Sequence, residues 1–261
     1  MSIVNLNGIV AAPKRRVIFQ KASRTSVAAT PFGVFDVAGN PGAGTLAVGN
    51  TANGIVPTDG VAGYPNLAAA AASLYLNRIQ SKGAVACWID IFDTLFSAGA
   101  YVFNADVTLA SQPSFAGRVP FGDYSGLELW LEAVTAFTGN LSAQINYLDQ
   151  DGNAGDTGVV GLGVVMANLG HMFMMPLAGG DSGIQRLDRV RGTVASAGTF
   201  NVHVMRWLWG RRINAVQDGA LDGLLKTGLP LIYDTSALRV VITPDSTTTG
   251  IVGLRMETVD G

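Results

Sequence analysis

The sequence predicts an all-β protein: an antiparallel, jelly-roll-like β-sandwich with extended N-terminal and C-terminal segments. Glycine contributes 33 of the 261 residues, roughly twice its average share, which is typical of a chain with many turns. Stretches rich in β-branched and aromatic residues recur about every 10–15 residues, with turn residues between them and few amphipathic helical patterns. These observations together favour a sandwich over a helical or mixed fold.

The first 65 residues are predicted to be an N-terminal arm and a glycine-rich loop region. Up to about residue 30 no clean period is visible, which suits an arm or an edge element. Residues 31–65 carry Gly, Pro, Asn and Asp at close intervals, so turns and very short strands are expected. "NLAAAAASLYLNRIQ", residues 66–80, is predicted as a short helical or irregular start that passes into a strand.

The β-sandwich core is predicted over residues 66–212. "AVACWIDIFDTLF" is rich in β-branched and aromatic residues, and "YVFNADVTLA" follows it. "LELWLEAVTAF" shows the clearest strand pattern, because Glu128, Trp130 and Glu132 alternate with leucines, as a period of two requires. "LSAQINYL" alternates in the same way.

The last third of the chain continues the strand pattern. Strands are expected at "GVVGLGVVMA", "HMFMMPLA", "IQRLDRVRGTVAS", "TFNVHVMRWLW", "PLIYD", "LRVVITP" and "GIVGLRMETV", and "VQDGALDGLLKTG" is predicted as a short helix or helical loop. Residues 158–180 lack a formal charge, but their glycines cut them into strand-length pieces, which favours buried strands over a transmembrane helix. Residues 213–261 are predicted as C-terminal strands or an arm that packs on the core or on neighbouring subunits.

Charge and composition exclude several classes of protein. Charged residues make up 14% of the chain, against about 25% on average, so much of the surface is expected to be covered by partners. The net charge of -2 and the lack of a long basic run predict no nucleic-acid partner. Cys87 is the only cysteine, which excludes an internal disulfide. The N-terminus has its basic residues after the apolar ones, unlike a secretory signal, and no membrane partner is expected.

"YLDQDGNAGDTG", residues 147–158, contains the candidate calcium ligands Asp149, Asp151, Asn153 and Asp156. The spacing of the first three matches the start of an EF-hand loop. The rest of that motif fails, since Ala154 stands where a glycine is needed and Val160 where a bidentate carboxylate is needed. A hairpin turn built on Asp151-Gly152 is therefore favoured over an ion site, and no metal is assigned.

No catalytic residue and no cofactor is assigned. His171 and His203 are the only histidines, and a Ser-His-Asp triad could include either, but no Gly-x-Ser-x-Gly elbow accompanies them. Structural histidines are favoured. The sequence therefore predicts a protein without enzymatic activity.

Candidate interface residues carry large amphipathic side chains near charges. They are Trp130, Trp207, Trp209, Arg211 and Arg212. Tryptophan and arginine are enriched in interface hot spots. For Trp130, which lies between Glu128 and Glu132, stacking on a sugar is the alternative interpretation.

The middle of the chain, about residues 74–209, resembles a family of tailed-bacteriophage structural proteins. The stretches that carry the resemblance are "ACWIDIFDTLFSAG", "SGLELWLEAVTAFTGNLSAQINYLDQDGNAGDTG", "MPLAGGDSGIQRLDRV" and "AGTFNVHVMRWLW". The resemblance implies a virion protein with a jelly-roll-like β-sandwich that decorates or cements the head, and it supplies no active-site residues. This chain has more acids at 149–156 than the family pattern.

Taken with the low charge, the resemblance predicts a capsid decoration, cement or minor capsid subunit, made in the host cytoplasm and carried in the phage particle. The expected partners are other copies of the chain, as a trimer, and the major capsid protein or other virion proteins. A tail, baseplate or fibre component is one alternative, and a carbohydrate-binding adhesion module is another.

Overall fold

A computed structural model describes residues 6–67, 72–163, 168–193, 197–214, 219–247, 249–250 and 252–261. In chain order its strands are β1 Lys14–Lys21, β2 Arg24–Thr25, β3 Phe32–Gly33, β4 Gly39–Asn40, β5 Asn50–Ile55, β6 Ser73–Gly83, β7 Cys87–Val102, β8 Asp106–Thr108, β9 Leu127–Thr138, β10 Leu141–Asp149, β11 Ala154–Asp156, β12 Val160–Gly163, β13 Met172–Met175, β14 Ile184–Thr193, β15 Ala197–Ile213, β16 Gly219–Asp222, β17 Leu231–Tyr233, β18 Leu238–Pro244, β19 Thr249–Gly250 and β20 Val252–Asp260. The helices are α1 Leu6–Ala11 and α2 Leu224–Thr227, with 3-10 turns at Ala116–Arg118 and Pro120–Gly122. The predicted all-β antiparallel sandwich is confirmed.

The central sheet has the strand order β13-β9-β15-β7-β18-β3, and β5 also pairs with β7. Its longest strands, β7 and β15, have 16 and 17 residues and run antiparallel along each other. β7 corresponds to the predicted "CWIDIFDTLF" strand, whose β-branched and aromatic side chains suit a sheet covered on both faces. This sheet carries the buried charged residues Asp93, Glu132 and Arg239 described below.

Two smaller sheets cover one face of the central sheet. The hairpin sheet, in the order β11-β10-β14-β8 with β12 on β10, packs its leucine, isoleucine and tyrosine side chains against β9 and the second half of β7. The terminal sheet, in the order β16-β6-β20-β1-β4 with β17 on β6, packs against the first half of β7, the end of β15 and β18. Along β7, Ile91 belongs to the second core and Leu95 to the first.

The segments predicted as an N-terminal arm and as C-terminal strands meet in the terminal sheet. β1 pairs with β20 from Lys14 opposite Val259 to Gln20 opposite Gly253. Both strands alternate buried and exposed positions, as expected for a sheet with one covered face. β20 also pairs with β6, so the C-terminal strand lies between two others.

Residues 31–67 form turns and short strands, as predicted, and they cover part of the other face of the central sheet. Phe35, Leu46 and Tyr64 from this segment pack against Val134 of β9 and Ala237. The rings of Phe35 and Tyr64 have centroids 4.7 Å apart. The segment is ordered through these contacts rather than through a core of its own.

β6 supplies the strand expected after residue 72, while residues 68–71, where a helical start is predicted, lie outside the described residues. Within 158–180 the structure contains the strands β12 and β13, and 164–167 lie outside the described part. α2 falls within the predicted short helix, and α1 is not predicted by the sequence. No helix in the described ranges is long and apolar enough to cross a membrane.

Candidate functional site

The face of the central sheet opposite the two smaller sheets is covered at one end and open at the other. Alternation along β9 places Glu128, Trp130 and Glu132 on this face, while the leucines between them point into the hairpin-sheet core. Residues 31–67 cover the end that contains Glu132. The end that contains Glu128 is open, so the two ends have different chemical possibilities.

The covered end holds a buried polar cluster of Ser97, Glu132, His203 and Arg239, each from a different strand. The Ser97 hydroxyl lies 2.8 Å from His203 Nδ1, and His203 Nε2 lies 3.1 Å from Glu132 Oε2. Arg239 Nη1 lies 3.1 Å from the same Oε2 and 3.2 Å from His203 Nε2. Strand register brings these residues together, because His203 lies opposite both Ser97 and Trp130.

The proton of His203 is assigned to Nε2. Arginine has no acceptor and an ionised carboxylate has no proton, so Nε2 cannot serve both neighbours. With the proton on Nε2, the imidazole and Arg239 both donate to Glu132, and Nδ1 accepts the Ser97 hydroxyl. Burial lowers the pKa of His203 from its ordinary value, as does the Arg239 charge, so the ring is neutral at pH 7.

The carboxyl of Glu132 is held in its charged form. Burial raises its pKa, but the charge of Arg239 and the hydrogen bond from His203 outweigh burial and lower the pKa to about 2. The order Ser97, His203, Glu132 is that of a hydrolytic triad. However, Ser97 is only 2% exposed and Glu132 is fully buried, so a substrate carbonyl has no path to the hydroxyl. The cluster fits a structural role.

A second buried charge cluster surrounds Asp93 on the opposite side of the sheet. Asp93 accepts hydrogen bonds from Arg118, from the Ser236 hydroxyl at 2.7 Å and from the Ala237 amide at 3.0 Å. Arg206 Nη2 lies 3.7 Å away. Asp93 and Ser236 are fully buried, so this cluster links strands β7 and β15 to the loop before β18.

The open end carries exposed apolar side chains around a buried tryptophan. Trp88 is 46%, Trp207 50% and Met174 51% exposed. Trp130 lies between β15 and β13, opposite His203 and Met174, and packs edge-on against Phe92 with ring centroids 5.6 Å apart. We refer to Trp88, Asp90, Glu128, Trp130, Met174 and Trp207 as the open aromatic face.

Two carboxylates on the open aromatic face hold two of its indoles. Trp207 Nε1 donates to Asp90 Oδ1 at 3.0 Å, and Trp130 Nε1 donates to Glu128 Oε2 at 2.7 Å. Gly210 makes the first bond possible, because a Cβ at this position would collide with Asp90 Oδ1 and lie 3.2 Å from Trp207 Nε1. The indoles are therefore fixed in place before any partner arrives.

The same carboxylates are shifted toward their neutral forms. Burial raises the pKa of Asp90, partly offset by the bond from Trp207. Burial also raises the pKa of Glu128, and the charge of Asp90 adds to this effect. The two carboxylates are near enough to repel each other, so this face suits a partner that supplies hydrogen-bond donors.

A β-bulge places the other candidate interface residues on different faces of the sheet. Between Trp207 and Trp209 the register with β7 shifts by one residue, so the two indoles point to opposite faces although strict alternation would place them together. Trp209 is buried and donates to Asp222 Oδ2 at 3.2 Å. Arg211 also pairs with Asp222, whereas Arg212 lies over Trp88, 5.9 Å from the ring centroid, and bonds Asp245 at 2.7 Å.

The candidate calcium residues lie at the hairpin turn between β10 and β11. Asp149 Oδ1 accepts the amides of Asp151 and Asn153, each at 2.8 Å, and Oδ2 accepts Asn153 Nδ2 at 3.2 Å. Asp156 accepts side-chain amides from Gln144 and Asn146. Within the described ranges, no group of three or more His, Cys, Asp or Glu residues is arranged to hold a metal ion.

Substituting Asp149 with alanine is expected to lower the melting temperature by several degrees, because the turn loses its acceptors for two backbone amides. The decrease should be equal with and without about 1 mM calcium, as measured by differential scanning calorimetry. Asp151→Ala is the control, since within the described part of the chain the Asp151 side chain accepts a hydrogen bond only from Gln150, and it should change little. A calcium-dependent rise in melting temperature that Asp149→Ala abolishes would instead establish an ion site.

Several residues of the site were not predicted from the sequence. Trp88, Asp90 and Met174 complete the open aromatic face, and Arg239 and Ser97 complete the buried cluster. Trp88 and Asp90 alternate within "CWIDI", so the polar and amphipathic positions of this strand could have indicated its outward face. The pairing of Arg239 with Glu132 connects residues far apart in the chain and gives no local signal.

Comparisons with known proteins give no family. No protein-family model and no curated protein matches the chain. Among solved structures, PirA is 11% identical over 42% of this chain and 83% of its own, with a TM-score of 0.21. The structure of infectious bursal disease virus, Gx strain, is 11% identical over 95% of this chain and 81% of its own, with a TM-score of 0.18. A family 11 carbohydrate-binding module from Clostridium thermocellum is 8% identical over 57% of this chain and 100% of its own, with a TM-score of 0.20. Scores this low carry no argument about function, and the bacteriophage resemblance stays a prediction.

Proposed function

We propose that the chain is a non-enzymatic structural protein of a tailed-bacteriophage particle, a head decoration, cement or minor capsid subunit made in the host cytoplasm. It acts through contacts with other copies of itself and with other virion proteins. The observation that supports this most directly is the open aromatic face, where half-exposed Trp88, Trp207 and Met174 surround Trp130 on a rigid sheet.

Two features of the open aromatic face lower the free-energy cost of burying it. Trp207 and Trp130 already donate their indole N–H groups to Asp90 and Glu128, so a covering partner leaves no tryptophan donor of this pair unsatisfied. Every member of this face except Met174 lies on β7, β9 or β15, which have neighbours on both sides, so little conformational entropy is lost on binding. Fixed tryptophans in a desolvated patch are the residues that dominate binding energy at interfaces.

The absence of enzymatic activity is part of the proposal. The triad-like residues Ser97, His203 and Glu132 are sealed below residues 31–67, and Arg239 engages the Glu132 carboxylate. A general base needs access to a nucleophile and to the substrate. The chain would therefore contribute contacts rather than chemistry to the particle.

The test is the oligomeric state of the purified protein by sedimentation velocity at moderate salt. We expect a trimer, and we expect the double variant Trp88→Ser/Trp207→Ser to be a folded monomer, because each side chain should contribute at least about 2 kcal/mol to association. Phe121→Ser is the matched control, since Phe121 is 98% exposed and lies outside the open aromatic face. A wild-type monomer, together with absence of the chain from purified phage particles, would contradict the proposal.

A second candidate function uses the same face. Tryptophan rings beside the acceptors Asp90 and Glu128 could hold a sugar, with a ring stacked on its C–H face and the carboxylates accepting hydroxyl hydrogens. Wild-type protein on a glycan array, with Trp207→Ser as control, tests this. Binding that Trp207→Ser abolishes would favour a carbohydrate-binding adhesion module, and a blank array removes it.

A further inference from the structure

The lysine and arginine side chains without a partner lie together on one surface. The other cations make ion pairs or donate to backbone carbonyls. The exceptions are Arg16, Arg78, Lys82 and Arg255, whose side chains have no hydrogen bond or ion pair to any described residue. All four are exposed and lie on the outer side of the terminal sheet, in β1, β6 and β20. We call them the basic face.

The strands below the basic face form a groove. Gly253 lies opposite Gln20 on one side and Lys82 on the other. Arg255 lies two residues further along the same strand. Because Gly253 has no side chain, the surface is hollow at its centre, and the groove has a volume of about 500 Å³. Glu257 lies opposite Arg16 and Arg78 and offsets part of their charge. The face remains positive overall.

Three exposed or half-exposed aspartates lie together at another place in the same chain. They are Asp151 and Asp156 of the β10–β11 hairpin and Asp181 of the turn beside it, and none has an ion-pair partner in the described part of the chain. The turn is held against the hairpin, because the Tyr147 hydroxyl donates to Asp181 Oδ2 at 2.7 Å and the Ser182 amide donates to Gln150 Oε1 at 2.8 Å. We call this the acidic tip.

We propose that the basic face binds the acidic tip of a second copy of this chain. The tip is a narrow two-stranded turn with Asp151 and Gly152 exposed at its end, a shape that a hollow sheet surface can accept. Arg255 and Lys82 on the walls of the groove would then face Asp151, and Arg16 and Arg78 would face the other aspartates. The unpaired charges of both surfaces would be neutralised in one contact.

The contact joins two different surfaces, so each copy offers a free face and a free tip to further copies. The contact can therefore extend an assembly beyond a closed oligomer. It involves other residues than the tryptophans, and it does not rest on the proposed function.

A nucleic acid is the competing occupant of a basic surface, and the groove is less suited to it. Single-stranded nucleic acids bind through base stacking on exposed aromatic rings. Phe19, the aromatic residue among those described as lining the groove, is buried toward the core. The net charge of -2 also opposes binding to a polyanion at long range.

The test is sedimentation velocity over a range of protein concentrations at about 20 mM and about 0.5 M salt, since screening separates charge contacts from apolar ones. The wild type should form larger species at low salt that dissociate at high salt. Arg255→Glu and Asp151→Lys should each raise the concentration needed for half-association about tenfold or more. Mixing the two variants should restore association, because the first keeps an intact tip and the second an intact face.

Arg189→Glu is the matched control, because it makes the same change in charge at an exposed arginine of the hairpin sheet, and it should associate like the wild type. If Arg255→Glu lowers the melting temperature, Lys82→Glu replaces it. Salt-independent sedimentation of the wild type, or equal behaviour of Arg255→Glu and Arg189→Glu, would overturn the proposal. So would Arg255-dependent binding of a fluorescent single-stranded oligonucleotide without self-association, which would assign the face to nucleic acid.

Discussion

Replacing Asp93 with asparagine is expected to lower the free energy of unfolding by roughly 3–5 kcal/mol, the range for removing one partner of a buried ion pair. Asp93 is fully buried and is the anion for both Arg118 and Arg206. Its oxygens also accept the Ser236 hydroxyl and the Ala237 amide. An asparagine amide would place its own donors against arginine donors and would leave their charge in the core uncompensated. Urea unfolding followed by tryptophan fluorescence measures the loss.

Asp188→Asn is the control for this prediction. Asp188 also pairs with an arginine, at 2.7 Å from Arg186, but the two side chains are 32% and 51% exposed. Exposed pairs of this kind contribute about 0–1 kcal/mol. If Asp93→Asn costs no more than Asp188→Asn, the buried cluster does not hold β7, β15 and the loop before β18 together.

The strands of the fold could be predicted from local sequence because their signal is local. In β9, the alternation of Glu128, Trp130 and Glu132 with leucines gave both the strand and the face on which each residue lies. The turns of residues 31–65 followed from glycine, proline and asparagine in the same way. The sheet order did not follow, because pairing β1 with β20 joins the two ends of the chain and depends on which exposed edges meet.

The candidate site was predictable only in part, for two physical reasons. First, the bulge after Trp207 reverses the direction of Trp209, and a one-residue shift of register leaves no mark on the hydrophobic pattern. Second, the charges of the core are paired across long separations, as for Glu132 with Arg239 and Asp93 with Arg118. The low share of charged residues predicts a surface covered by partners, yet several of these residues are inside the fold.

The buried and exposed charges suggest a division of roles within the chain. Ion pairs inside the sandwich fix the position of β7 relative to β9, β15 and β18, and so orient the open aromatic face above them. The unpaired charges of the basic face and the acidic tip lie on the outer sheets, away from these clusters. Changes at the surface contacts should therefore alter assembly without altering stability, whereas changes at Asp93 or Glu132 should do the reverse.

Glu132→Gln is expected to destabilise the protein at pH 7 by roughly 3–5 kcal/mol, because Arg239 would lose its buried counter-ion. The folded-state pKa of Glu132, about 2, lies below its ordinary value of 4.5. The unfolded chain therefore takes up the proton first as the pH falls. The stability that Glu132 contributes is fully present above pH 4.5 and is lost as the pH falls toward 2, by roughly 3 kcal/mol. Since glutamine does not titrate, the difference between wild type and variant should narrow over this window in urea unfolding at several pH values.

Glu128→Gln should show the opposite pH dependence of stability, although Glu128 lies on the same face of the same strand as Glu132. The pKa of Glu128 is raised by burial and by Asp90, so the folded state takes up the proton first. Relative to Glu128→Gln, the wild type should gain stability as the pH falls through the raised folded-state pKa of Glu128 toward the ordinary value of 4.5. Relative to Glu132→Gln, the wild type should lose stability as the pH falls below 4.5. Parallel pH profiles for the two variants would mean that Arg239 and His203 do not hold Glu132 in its charged form. The proton of His203 would then have to be assigned to Nδ1 instead of Nε2.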